Sequence, residues 1–466
     1  MTRAFLAIAG SACLAVAGYS LSRLGDSAPG PEPLIFFVGL PFVIGVALWG
    51  AVRLPAEVRS GLTAALVSLG CALVLAEIYL ISRENTREEL AVEAAKARGL
   101  PPDGRSQIEV ILDLERQGVE AYPHFYPWLG MRRNAAGLWE STLRVGEQTV
   151  FPLAGISNVT TVVCNEYGPW LIYKSDQHGF NNPPGLWKPG TVDVVLLGDS
   201  FTLGNCTPRE QHFAGRIAER FPTTVNLGYT AAGPLATYAA LIEYGKYLRP
   251  KRVLWFFFEG NDMANLDSER DTPILMRYLE AGYEQGLIRL QPGLDRLMKQ
   301  VVTELRPQAE TAAMARAKER NYARAPLLGN VRNLLGIRSF YVESRKRPKP
   351  PELYPDLLLQ VFQHAKREVA SWGGELYVVY LPAWRRGRDI DGPTPEYRQI
   401  ETLVKDVVAK ADLPLIDVTP AFVAHPDWRQ LNSYVQRGGH YSPLGYGVVA
   451  DTVLRNLEGN NRRSAP

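Results

Sequence analysis

Read for its apolar positions alone, the chain divides into three regimes. In residues 1–82 the apolar side chains gather into three stretches, at 4–21, 34–52 and 61–81, each long enough to cross a bilayer as a helix. The first stretch has a second reading as a cleaved signal peptide, because Arg3 precedes it and Ala15-Val16-Ala17 has the small-x-small form of a cleavage site. Arg53 and Arg59, between the second and third stretches, mark that loop as cytoplasmic. Under either reading everything after residue 81 lies outside the membrane, on the periplasmic side, and Asp26 and Glu32 in the preceding loop agree. The second regime, residues 83–190, opens with a charged, Ala-rich segment to residue 105 that predicts a solvated stalk helix. It continues as aromatics, Gly, Pro and short Val/Thr runs such as 158–164, which predict irregular β structure.

From 191 to 460 short β-branched runs alternate with amphipathic stretches, the pattern of a parallel α/β sheet. Strands are predicted at 192–197, 224–227, 252–258, 375–381 and 413–416, and helices at 235–248, 395–411 and 443–457. Another helix is expected from the capping box Thr207-Pro208-Arg209-Glu210, with Phe213, Ile217 and Phe221 on its buried stripe. An insertion at 263–351 reads as helical and polar, with an Ala-rich charged segment at 310–324. Its basic run at 345–349 reads as a solvated linker, or as a contact for anionic lipid.

A chain of 466 residues exceeds what one core supports, so a membrane region, a lead-in and an α/β domain are separate units in this reading. Basic and acidic residues nearly cancel, 51 against 48, which removes the electrostatic case for a nucleic-acid partner. The 6 histidines show no His-x-His or His-Glu-x-x-His spacing, so neither a metal nor any other cofactor is expected. Cys13 and Cys71 fall in apolar stretches and read as small apolar residues. Cys164 and Cys206 lie in the exported part, where a disulfide is permitted. It would close a loop of about 40 residues and stabilise by roughly 4 kcal/mol on the chain-entropy model. Two buried free thiols are the other reading.

Candidate chemistry gathers at strand ends. Gly198-Asp199-Ser200-Phe201-Thr202 stands where the first buried strand turns toward a helix, at the carboxyl edge where open α/β sheets bind ligands. Asn261 closes the third strand in Glu259-Gly260-Asn261-Asp262, and His440 precedes the last helix in Gly439-His440-Tyr441-Ser442-Pro443. With these blocks in this order the sequence resembles the SGNH/GDSL hydrolases over about 192–262 and 375–457. The lead-in segments Cys164-Asn165-Glu166, Lys174-Ser175-Asp176 and Gly179-Phe180-Asn181-Asn182-Pro183 are similar to those of a bacterial, membrane-linked subset of the family. The resemblance implies a flavodoxin-like α/β/α sandwich on a five-stranded parallel sheet. It also implies a serine esterase with Ser200 as nucleophile and His440 as general base.

Serine is a poor nucleophile until a base takes its proton, and an imidazole titrating near ~6.5 does so at neutral pH. The oxyanion formed next would meet the Ser200 N–H, a backbone N–H at Ala231 and the Asn261 amide, positions carried over from the resemblance. Two departures stand out. Ala231 occupies the place of the family's second-block glycine, and Arg437 stands where the family has an aspartate three residues before the histidine. The expected arrangement is therefore a Ser-His dyad, its imidazole oriented by a backbone carbonyl or by a remote acid, Asp417 or Asp427. Asp199 and Asp262 are expected to bond loop amides, and His178 and His425 are the rival histidines. The resulting expectation is hydrolysis of short acyl esters on an envelope glycan or lipid. Acyl transfer to a sugar hydroxyl, and a silent scaffold or glycan-binding module that has lost its acid, stay open.

Overall fold

Five of the β-branched runs pair into one parallel sheet: β1 (Val194–Leu197), β2 (Thr224–Asn226), β3 (Arg252–Phe258), β4 (Glu375–Leu381) and β5 (Leu415–Asp417). They lie in the order β5-β4-β3-β1-β2, the doubly wound order of flavodoxin-like sheets. This computed structural model describes residues 1–24, 34–82, 87–318, 353–383, 395–434 and 438–463. The chain separates into two units, residues 1–84 with 314–350, and residues 85–313 with 351–466.

Alternation along each strand feeds two cores. Val195, Leu197, Val253, Trp255, Phe257, Val378 and Tyr380 face one side, where they meet Leu235, Phe362 and Val404 from the covering helices. Val194, Leu196, Leu254, Phe256, Val379 and Leu381 face the other, against Phe213, Ile217, Tyr446 and Val453. Helices therefore cover both faces, as a parallel sheet buried on both sides requires.

Two helix boundaries differ from expectation. The helix placed after Thr207 begins at Phe213 and runs to Arg220, because the His212 Nδ1 accepts the Ala214 N–H at 3.0 Å and serves as the cap. The segment 234–248 is helical throughout but contains a π turn at Leu241–Gly245. The insertion is less polar than expected. Its helices Asp262–Arg270, Pro273–Met276 and Leu287–Lys318 place Met263, Leu266, Leu275, Leu287, Leu294 and Met298 in the main core. Residues 319–352, including the basic run at 345–349, lie outside the described residues.

The lead-in is a structured module. Strands Ala121–Pro123, Thr160–Val162 and Ile172–Lys174 form a small sheet with the Thr160–Val162 strand in the middle. Its docking is explicit: Asn182 donates to Asn226 O at 2.9 Å and accepts the Asn226 N–H at 2.8 Å, satisfying the edge of β2. Asp176 holds that loop through the Asn182 amide and the Trp187 indole N–H. The helix expected as a solvated stalk, Arg87–Ala97, instead packs on this module, with Ala91, Ala94 and Ala95 buried. A Cβ at Gly168 would fall 2.7 Å from the Ala95 Cβ, so the two backbones meet closely.

In the N-terminal unit, helices Thr2–Leu24 and Ala56–Ser82 contain stretches long and apolar enough to cross a membrane. The middle apolar helix, Phe37–Ala51, is shorter. The first and middle helices cross at Gly10 and Gly45, where a Cβ on Gly10 would lie 2.9 Å from Gly45 O. Small residues at such a crossing are what lets apolar helices pack closely.

Candidate active site

The turn that carries Ser200 is built by three consecutive residues. Gly198 ends β1 at a φ of 149°, and a Cβ there would fall 2.3 Å from Thr202 Oγ1 and 2.8 Å from Phe256 O, so only glycine makes this turn. Asp199 then caps the short helix Ser200–Leu203, its Oδ1 accepting the Phe201 N–H at 2.8 Å. Ser200 is left as the first helical residue, with its N–H among the amides that have no intrahelical acceptor.

His440 arrives on a hairpin of β6 (Asn432–Tyr434) and β7 (Gly438–Tyr441). The next residue anchors it: the Tyr441 hydroxyl donates to Pro382 O at 2.6 Å, and its ring packs on Phe201 at 4.8 Å between centroids. His440 Nε2 and Ser200 Oγ are 2.9 Å apart.

The group on the other ring nitrogen was not foreseen. Glu166 Oε1 lies 2.9 Å from His440 Nδ1, and Glu166 Oε2 accepts the His440 backbone N–H at 2.8 Å. In the neutral imidazole a carboxylate in that place selects the tautomer with the proton on Nδ1, which leaves Nε2 to accept the Ser200 hydroxyl. The structure thus replaces the expected dyad with a Ser-His-Glu constellation. Asp417 does not orient the imidazole, because its carboxylate is engaged by Lys405 at 2.8 Å and by the Thr419 N–H at 2.9 Å. Asp427 caps Arg429, His425 accepts the Asp427 N–H, and His178 packs against Trp187.

Glu166 comes from the tip of the lead-in hairpin between the Thr160–Val162 and Ile172–Lys174 strands. Its loop is closed by Asn165, whose Oδ1 accepts the Gly168 N–H at 2.8 Å while its Nδ2 donates to Asp103 O at 2.8 Å. Arg98, just beyond the Arg87–Ala97 helix, donates from Nη2 to Asn432 O at 2.8 Å and so braces the histidine hairpin. A disulfide joins Cys164 to Cys206, with Cα atoms 5.0 Å apart. That pairing, one of the two readings of these cysteines, places residue 166 beside the Ser200 turn.

Burial and charge act in opposition on the imidazole–carboxylate pair. Burial disfavours the Glu166 carboxylate, but the adjoining His440 outweighs it, so Glu166 titrates below the ordinary glutamate value. Burial likewise pulls His440 down, while the Glu166 charge, its hydrogen bond and the more distant Asp199 pull it up further, and the net shift is upward. The side chains of His440 and Glu166 are 20% and 14% exposed, so the pair is largely shielded from solvent.

Asn261 stands at the end of β3 and donates from Nδ2 to Asp199 Oδ2 at 3.1 Å, which leaves its second amide hydrogen for another acceptor. Asp262 accepts the Phe258 N–H at 3.0 Å and supports the same turn. Ala231 adopts a φ of 60°, a left-handed conformation that glycine would take without strain. The following turn is fixed by the buried Glu269, which accepts the Gly233 and Leu235 N–H groups at 2.6 and 2.8 Å. Among the described residues, Glu166, Cys206 and His440 are the one group whose donor atoms cluster as a metal site would need. The Cys206 sulfur is held in the disulfide.

No family model matches the chain, and no curated protein does. Solved structures resemble it over somewhat more than half of its length. They include a lipase/acylhydrolase from Enterococcus faecalis, 13% identical with a TM-score of 0.32, over 58% of this chain and 96% of that one. An acetyl xylan esterase is 11% identical with a TM-score of 0.33, over 57% and 100%. A member of the lipolytic G-D-S-L family from Veillonella parvula DSM 2008 is 11% identical with a TM-score of 0.29, over 57% and 97%.

Proposed function

We propose that this chain is a serine hydrolase of the SGNH/GDSL type that cleaves acyl esters. The observation that carries the reading is the 2.9 Å approach of His440 Nε2 to Ser200 Oγ, with Glu166 on the opposite ring nitrogen. In the first half-reaction Ser200 Oγ attacks the ester carbonyl as its proton passes to His440 Nε2. The charge on the carbonyl oxygen is met by the Ser200 N–H, the backbone at Ala231 and the Asn261 amide. His440 then returns the proton to the departing alkoxide, leaving an acyl-serine. In the second half-reaction His440 deprotonates water, which attacks the acyl-serine; His440 then returns that proton to the departing Ser200 Oγ as the carboxylic acid is released. Glu166 fixes the tautomer and stabilises the imidazolium formed in each half. With Glu166 in this role, the silent-scaffold reading loses the missing acid that motivated it.

The substrate we propose is a short acyl ester on a glycan or lipid of the cell envelope, reached from the outer side of the membrane. Support comes from the three apolar stretches, the Arg53 and Arg59 loop and a disulfide that an oxidising compartment would maintain. A sugar hydroxyl replacing water in the second half-reaction would make the same site an acyltransferase. Full-length protein in detergent, treated with a fluorophosphonate probe, should be labelled on the Ser200 peptide and not in Ser200→Ala. Absence of labelling would reject the hydrolase. Added sugar acceptor that diverts acyl groups from water would reassign it as a transferase.

A further inference from the structure

We propose that the Cys164–Cys206 disulfide is a positioning element of this site: it holds Glu166 against His440, and opening it lowers turnover while leaving the sandwich folded. The inference rests on the catalytic reading above. The acid belongs to a hairpin outside the sandwich, and the bridge ties that hairpin directly to the nucleophile's own turn. Cys164 stands two residues before Glu166, and Cys206 lies in the turn that follows the Ser200–Leu203 helix. The bridge is also inside the site. A Glu166 carboxylate oxygen, the Cys206 sulfur and a His440 ring nitrogen all lie within 4.8 Å of one another. Cys206 has a φ of 61°, a left-handed conformation that an L residue keeps only where its surroundings enforce it.

Besides the bridge, the tip is held by the Glu166 carboxylate's own two bonds to His440 and by the close packing of Gly168 on Ala95, and the other attachments stay within the lead-in or are apolar. Gln107 donates to Val162 O and Val163 O, and Asn165 to Asp103 O, all within the lead-in. Val163 and Leu171 pack on Leu203, an apolar contact that keeps the hairpin near the site without setting the carboxylate's position. With the bridge open the hairpin stays docked but its tip is free to shift. A displacement of about 1 Å at a catalytic group costs on the order of 10²-fold in rate.

Opening the bridge is a two-electron exchange. One thiolate of an added dithiol attacks a bridge sulfur to give a mixed disulfide, and its second thiol then displaces the protein sulfur. The two cysteines gain two electrons and two protons, and the dithiol becomes a cyclic disulfide.

The test compares full-length wild type, oxidised and dithiothreitol-treated, with the Cys164→Ser/Cys206→Ser double variant, Glu166→Gln and the triple variant. The readouts are the fluorophosphonate labelling rate against pH, the labelled fraction at completion, and circular dichroism at the assay temperature. The expected result is a roughly 10²-fold slower rate when the bridge is open, with unchanged circular dichroism and full final labelling. The acid limb should move to lower pH, as in Glu166→Gln, and the triple variant should be little slower than Glu166→Gln alone. A rate and acid limb unchanged by opening the bridge would overturn the inference. So would a loss confined to the labelled fraction, or losses that multiply in the triple variant. If oxidised wild type is not labelled at Ser200, the catalytic reading itself has failed and the inference falls with it.

Discussion

The sandwich and the lead-in hairpin each supply part of one site, and they are held by different physics. Ser200 and Asn261 stand at the carboxyl ends of buried strands, where two apolar cores fix the backbone from both faces of the sheet. Glu166 stands at the tip of a two-stranded hairpin outside that sheet. It is kept in place by a disulfide, an Asn165 turn and a helix packed through alanines. Residues on a rigid element need only local turn chemistry to be positioned. A residue on a peripheral hairpin needs cross-links, and its contribution is correspondingly easier to remove without unfolding the protein.

The comparison can be broken first at its centre. Ser200→Ala should abolish fluorophosphonate labelling, and His440→Ala should slow it by about 10⁴-fold or more, because a serine nucleophile and its base act as one unit. Glu166→Gln should reduce turnover by about 10² to 10⁴-fold while leaving the fold intact, whereas Asp417→Asn should change it by less than about twofold. Equal losses in these two variants would return the orienting role to the sandwich. Asn261→Ala, on the rigid side, should lower kcat by about 10² to 10³-fold with little change in KM, measured on a soluble aryl ester.

Smaller effects sharpen the contrast. Arg98→Ala removes the bond to Asn432 O, so thermal melting should show a loss of about 1 to 2 kcal/mol, with kcat reduced less than tenfold. Glu269 gives a pH signature on the sandwich side. Burial pushes its carboxyl up to about 8 from 4.5, so the folded state binds a proton that the unfolded chain releases between those values. Stability should therefore fall as pH rises through that window, and Glu269→Gln should flatten the slope in denaturant titrations.

What could be read from the sequence follows the same division. The strands β1 to β5 were legible because β-branched runs buried on both faces leave a strong local signal, and β3 and β4 agree with the expectation to the residue. The helix starting at Phe213 was misplaced because a histidine side chain served as cap where Thr207 was the apparent signal. The Arg87–Ala97 helix was misread as solvated because its contact face is alanine, which carries no hydrophobic stripe strong enough to stand out among the charges around it. Glu166 was illegible as a functional residue. A hairpin tip contacts the site through tertiary packing, and no spacing rule connects residue 166 to residue 440. Asp417 was the natural alternative, since it ends β5 on the correct edge, until its carboxylate proved to be engaged by Lys405.

The most direct test of the central claim, that a glutamate from outside the sandwich completes the site, is the pH dependence of fluorophosphonate labelling in wild type and Glu166→Gln. In wild type His440 titrates above its ordinary value of 6.5, so labelling should fall away on the acid side with a midpoint above that pH. In Glu166→Gln the largest raising influence is gone while burial and the Asp199 charge remain, so the midpoint should move to lower pH and the plateau rate should drop. Identical midpoints and plateau rates in the two proteins would contradict the account.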